Sequence, residues 1–225
     1  MAGSPFGSYY SQMDLTDIEL RVLGCLIEKE MTTPDYYPMT INSLQAASNQ
    51  KSNRAPVVDY SETEVVAAVD LLRERGLART VHGKGDRALK YKHVAGETLE
   101  ISPRQAALLA IMLLRGPQTL GELRSRTGRY TEFAGLAEVA SELDAMAGAE
   151  EPTVAMLERR PGEKESRYRH LLGGADGAVD TLPARQAPDL AGGDAERVAE
   201  LERELADLRA RVARMETELG LDSGV

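Results

Sequence analysis

The stretch SETEVVAAVDLLRERGLARTVHGKGDRALKY, residues 61–91, decides the fold. Ser61 and Glu64 have the spacing of a capping box, in which each side chain accepts a backbone N–H at the start of a helix. Behind them Val65, Val69 and Leu72 recur at i, i+4 and i+7 and line one helical face. Gly76 is a natural C-terminal stop. Residues 77–81 and 88–91 then form two short runs around the Gly-rich segment 82–87, the pattern of a β-hairpin.

Upstream, Thr16 and Glu19 form another capping box, and Ile18, Val22, Cys25 and Leu26 supply the apolar stripe of a first helix. The Pro-rich segment 33–38 breaks it, and a short helix with Ile41, Leu44 and Ala47 follows Thr40. Three helices and a hairpin, in that order, predict a winged helix-turn-helix. Downstream the order repeats, each copy being about 75 residues long. Ser102, Pro103 and Gln105 start a helix with Leu108, Ile111 and Met112 on its apolar side. Gly116 and Pro117 end it, Thr119 and Glu122 cap the next, and a third is expected from about Thr131, with Leu136, Val139, Ala140 and Leu143 inward. Residues 153–158 and 166–172 flank Pro161 and Gly162 as a second hairpin.

The expected fold class is therefore mainly α with short β-hairpins: two tandem winged helix-turn-helix domains plus a C-terminal coiled-coil helix. The divisions are an N-terminal tail at 1–13, domain one at 14–98, domain two at 99–172, a Gly/Ala/Pro/Asp-rich linker at 173–194 and the coiled coil at 195–221. In the last, Val198, Leu201, Leu205, Leu208, Val212, Met215 and Leu219 alternate spacings of 3 and 4, a heptad seam. So short a helix needs a partner, and a homodimer is expected; the alternative is a helix folded back on its own body.

Several strings, NQKSNRAPV (49–57), SETEV (61–65), RGPQTLGELRSRT (115–127), EFAGLAEV (132–139) and RRPGEKESRYRHL (159–171), resemble the YceH family of bacterial proteins. The resemblance covers roughly residues 15–172. It implies paired winged-helix domains and, by way of that fold, a DNA-binding role.

Composition narrows the function. The net charge is −9, and residues 173–225 carry 12 acidic and 6 basic side chains, so the body is nearly neutral. The absence of Trp and 4% aromatics argue against a stacking platform for single strands. Cys25, the single cysteine, excludes an intramolecular disulfide and reads as a small buried hydrophobe. His82, His93 and His170 have no metal-ligand partners at usable spacing, and no nucleophile–base grouping is present. No enzyme activity and no cofactor are expected. Nor does any run approach the about 18–20 apolar residues of a membrane span, and residues 1–10 lack a signal-peptide layout, so a cytoplasmic protein is expected.

Two partner classes remain. Double-stranded DNA would be gripped by the basic wings and by the 49–54 loop, whose Asn49, Gln50, Lys51, Asn53 and Arg54 are of the types that meet base edges and phosphates. Lys84 and Arg87 in the first wing, and Arg126, Arg129 and Lys164 in the second domain, complete that candidate set. Against it, the third helix of domain one carries Glu62, Glu64, Asp70 and Glu74 against Arg73 and Arg75. That of domain two carries Glu132, Glu138, Glu142 and Asp144 with no basic residue. Phosphates repel such helices, so a protein partner docking on the acidic third helices is the alternative. A continuous basic face would favour DNA; scattered charge would favour the scaffold.

Overall fold

The computed structural model describes residues 14–82, 88–159 and 162–173. The heptad residues Val198, Leu201, Leu205, Leu208, Val212, Met215 and Leu219 lie outside the described residues, as do Lys84 and Arg87 of the first hairpin.

Helix α1 (Asp17–Thr32) starts where the sequence places it: Thr16 accepts the Glu19 N–H and Glu19 accepts the Thr16 N–H in return. Its burial is not confined to the predicted stripe. Every residue from 19 to 28 is buried, the pattern of a helix covered on all sides. Helices α2 (Ile41–Ser48) and α3 (Glu62–Glu74) cover two of them, and α5 (Pro103–Arg115) covers another. At the α1–α5 crossing Gly24 leaves so little room that a Cβ there would stand 3.0 Å from the Leu113 Cβ. One hydrophobic core therefore runs through both copies of the repeat, from Val22 and Leu72 to Leu109, Leu143 and Val154.

After α3, Gly76 turns the chain at φ 71°, and β1 (Ala78–Val81) pairs antiparallel with β2 (Lys90–His93) in the register Ala78↔His93 and Val81↔Lys90. The short α4 (Ala95–Thr98) leads into α5, which opens on the reciprocal bonds of Ser102 and Gln105. There follow β3 (Gln118–Thr119), α6 (Leu120–Thr127), α7 (Leu136–Ala147), β4 (Val154–Met156) and β5 (Arg167–His170). The second sheet has the order β3-β5-β4, all antiparallel. The fold class is thus mainly helical with small antiparallel sheets.

The two sheets match in detail. Lys90-Tyr91-Lys92-His93 in β2 corresponds to Arg167-Tyr168-Arg169-His170 in β5. Strand alternation turns both tyrosines into the core. Tyr91 pairs with Met39, just before the cap of α2, as Tyr168 pairs with Gln118, just before the cap of α6. The isolated bridge at Met39 and the two-residue β3 are too short to carry a periodicity that sequence alone can read.

Helix α7 begins five residues later than expected. The amides of Tyr130 and Thr131 both return to the Thr127 carbonyl, at 2.7 and 3.0 Å, winding the chain around the end of α6. Phe133 is then buried beneath the Arg104 guanidinium, and Glu138 accepts the Ala134 N–H at 2.7 Å, closing the turn before the helix starts. Glu132 consequently lies outside α7.

Candidate nucleic-acid interface

The 49–54 loop is built mostly inward. Asn49, the residue ending α2, holds Tyr60 through both of its amide atoms: Oδ1 accepts the Tyr60 N–H and Nδ2 donates to the Tyr60 carbonyl, each at 2.8 Å. Gln50 donates to the carbonyl and hydroxyl of Ser52, and Asn53 turns the chain at φ 59°, a left-handed conformation that Asn tolerates.

Arg54 departs most from expectation. A loop guanidinium was expected to meet DNA; instead Arg54 is 6% exposed. Its Nε donates to the Ala47 carbonyl at 3.1 Å, Nη1 reaches Glu28 Oε1 at 3.3 Å, and Nη2 is bonded to Glu28 Oε2 and lies 3.6 Å from Cys25 Sγ. A buried carboxylate needs a cation and hydrogen-bond donors, and Arg54 supplies both. This corrects the sequence reading for Arg54: the guanidinium is enclosed by the fold and is withdrawn from the groups a phosphate can meet.

Glu28 collects a third donor. The Tyr130 hydroxyl, in the turn after α6, bonds to Glu28 Oε1 at 3.0 Å. Burial alone would raise the Glu28 carboxyl, but the Arg54 hydrogen bonds and charge, with Lys29 and Tyr130, hold it below the ordinary carboxylate range. The Tyr130 phenol is pushed upward, by burial first and then by the negative charge of Glu28. Nearby, Arg21 spans the loop from α1, donating to Ser48 O at 3.0 Å and Pro56 O at 2.6 Å. From α5, Arg115 donates to Asn53 Oδ1, and Leu114 O accepts the Ala55 N–H at 2.9 Å.

This arrangement brings part of the candidate set together. Lys51 is the exposed cation of the loop. Arg115, tied to the same loop through Asn53, is held below its ordinary value by burial first and then by repulsion from Arg126, Arg54 and Arg129. The second-half arginines thus stand within electrostatic reach of the first-half loop. Arg129 is exposed; Arg126 lies 3.6 Å from Glu122, a carboxylate shared with Arg167 at 2.8 Å. Lys164, also exposed, sits between β4 and β5 and contributes its carbonyl to Arg159.

Sequence reasoning missed Glu28, Tyr130, Arg115 and Arg21. One signal was available: Arg21, Cys25 and Glu28 occupy i, i+4 and i+7, placing two charges on an apolar helical side. Tyr130 and Arg115 gave none, because their partners are distant in sequence.

The third helices keep their acidic character. In α3, Asp70 engages Arg73 at 2.8 Å, while Val66 and Leu71 are exposed beside Glu62 and Glu74. In α7, Glu138 is taken by Arg104, leaving Glu142 and Asp144, and Leu136 is exposed. Among the described residues no group of three or more His, Cys, Asp or Glu side chains is placed to hold a metal ion, and no helix is long and apolar enough to cross a membrane.

Fold and junction together define a mainly helical protein of two helix–helix–helix–hairpin units joined through a shared apolar core and the Tyr130–Glu28 and Arg115–Asn53 hydrogen bonds. Residues 15–163 match the family described as "Protein of unknown function, DUF480". The chain is 48% identical to a UPF0502 protein of Geobacter metallireducens, covering 85% of this chain and 88% of the relative. It is 46% identical to one of Shewanella amazonensis (89% and 96%) and 45% identical to one of Citrobacter koseri (92% and 98%). The chain belongs to this family, UPF0502, the YceH family of the sequence reading.

Proposed function

We propose that this protein is a non-enzymatic, cytoplasmic, duplex-DNA-binding regulator whose two units are winged helices. The observation that carries the reading is the Arg115–Asn53 hydrogen bond, which ties an arginine of the second half, one that feels the charges of Arg126 and Arg129, to the loop that exposes Lys51. Cations from separate halves gathered at one place suit a polyanionic backbone, and contacts of this kind position a protein on a duplex. The half-exposed Lys92 of β2 and the exposed Lys164 extend the same chemistry to the hairpins. The acidic α3 and α7 are held away from the phosphates in this reading, so binding is not by third-helix insertion. The heptad seam pairs two chains and doubles the site. The test is capture of fragmented genomic DNA by the purified protein across a salt series. Enrichment of a shared motif that survives about 150 mM salt supports a sequence-specific binder; binding lost by that salt leaves only charge attraction.

A second reading is favoured by one observation: α3 exposes Val66 and Leu71 beside Glu62 and Glu74, and its Arg73 is occupied by Asp70. An acidic surface with exposed apolar side chains suits a basic protein partner. Loss of DNA capture together with stable complexes that depend on α3 would replace the first reading by this one.

A further inference from the structure

We infer that Glu28 is a positioning residue that fuses the phosphate-facing groups of the two halves into one site, its buried carboxylate holding Arg54 on one side and Tyr130 on the other. The inference rests on reading the junction as a nucleic-acid surface.

The loop that carries Lys51 is fixed at several points. Arg21 holds its shoulders, at Ser48 and Pro56; Glu28 holds its centre through Arg54; and Arg115 and Leu114 hold its far side, at Asn53 and Ala55. Of these anchors the Glu28–Arg54 pair alone puts opposite charges in the interior, with exposures of 3% and 0% for the two side chains. Arg54 leans on that carboxylate for two of its donors, and breaking one side of a buried ion pair is strongly destabilising. Removing the carboxylate's charge leaves the Ala47 and Asn53 carbonyls as the remaining holds on Arg54, and its expected response is to loosen toward solvent. Asn53 and Ala55, its chain neighbours, move with it and release Arg115 and Leu114.

The same carboxylate accepts the Tyr130 hydroxyl, and Tyr130 follows Arg129 directly in the turn after α6. Loss of that acceptor loosens the segment that presents Arg129. One buried group thus sets Lys51 in the first half and Arg129 in the second. Arg54, read from sequence as a contact residue, serves as the cation through which Glu28 acts.

The experiment uses the full chain, a Glu28→Gln variant and a short mixed-sequence DNA duplex. Hydrogen exchange is followed for residues 49–56 and 127–133, and duplex affinity is measured across a salt series. The expected result is at least tenfold faster exchange in both segments, with β1 and β2 unchanged. The slope of log affinity against log salt should also become shallower by about one to two, because fewer phosphates are engaged together. A loss of structure alone would speed exchange everywhere; the salt slope reports the geometry of the charges. Tyr130→Phe removes one arm and should speed exchange at 127–133 alone. Unchanged exchange at 49–56 in Glu28→Gln overturns the positioning role. Faster exchange in both segments with an unchanged slope overturns the fused site. If the wild-type protein binds no duplex even at low salt, the nucleic-acid reading falls and the fused site with it, while the exchange data separately decide the lock. If Glu28→Gln fails to fold, Tyr130→Phe, which removes only the hydroxyl bonded to Glu28 and leaves the ion pair in place, should still speed exchange at 127–133 and make the salt slope shallower; unaltered exchange and slope overturn the inference.

Discussion

The Tyr130 hydroxyl donates to the Glu28 carboxylate at 3.0 Å across 102 residues of sequence, joining the turn after α6 to α1, the first helix of the first unit. The bond shares its carboxylate with the Arg54–Glu28 ion pair, so that buried pair touches the second half of the chain.

Arg54 and Lys51 are three residues apart in one loop yet should respond in opposite ways. Arg54→Ala leaves Glu28 buried without its cation and should destabilise the fold by about 3–5 kcal/mol in urea denaturation. Lys51→Ala, at an exposed position, should stay within about 0.5 kcal/mol of wild type. Equal stability of the two variants would remove the buried pair from the account.

The contrast marks how much the sequence made legible. Thr16, Ser61, Ser102 and Thr119 cap their helices as read, each with its partner three residues on, because capping is a local interaction and its geometry follows from spacing. The hairpins were legible for the same reason. The inward turn of Arg54 was not. Its partner lies 26 residues upstream on α1, and nothing local distinguishes a guanidinium aimed at solvent from one aimed at a buried carboxylate. The all-round burial of α1 was likewise invisible, since it depends on α5 arriving from the second copy of the repeat.

Gly24 marks where α1 and α5 approach most closely. A larger side chain there meets Leu113 and Leu114, and neither has free space behind it, both being buried. Gly24→Leu should cost about 3 kcal/mol or more, seen as a lowered thermal midpoint, despite the better helix propensity of Leu. A midpoint at or above the wild-type value would show that the two helices do not pack as described.

Stability should fall in mild acid. His170 is pushed down to about 4, by burial first and then by the charge of Arg169. His93 is also lowered, burial outweighing the attraction of Glu30. The Ala95 N–H donates to His93 Nδ1, so Nε2 carries the proton that bonds Glu30 Oε2 at 2.7 Å in the neutral ring. From about pH 6.5 down to 4 the unfolded chain takes up a proton at His170 that the folded chain refuses, so stability drops as pH falls through that window. The His170 contribution amounts to about 2 kcal/mol between pH 7.5 and 5. His170→Gln should flatten the dependence of the urea midpoint on pH over this range by a corresponding amount. An unaltered profile would mean that the ring titrates normally.

The acidic third helix separates the two functional readings. Glu62 and Glu74 are exposed on α3, beside Val66 and Leu71. Were this helix lodged against phosphates, the Glu62→Gln, Glu74→Gln double variant would remove two repulsive charges and raise duplex affinity several-fold at low salt. The junction reading keeps α3 off the backbone and expects a change of less than about twofold, with the salt slope preserved. The same variant should weaken any complex with a basic protein partner, because its surface complementarity depends on those carboxylates. Fluorescence anisotropy with a labelled duplex measures the first effect directly. A several-fold gain in affinity would return α3 to the groove and displace the Lys51–Arg129 junction as the principal contact.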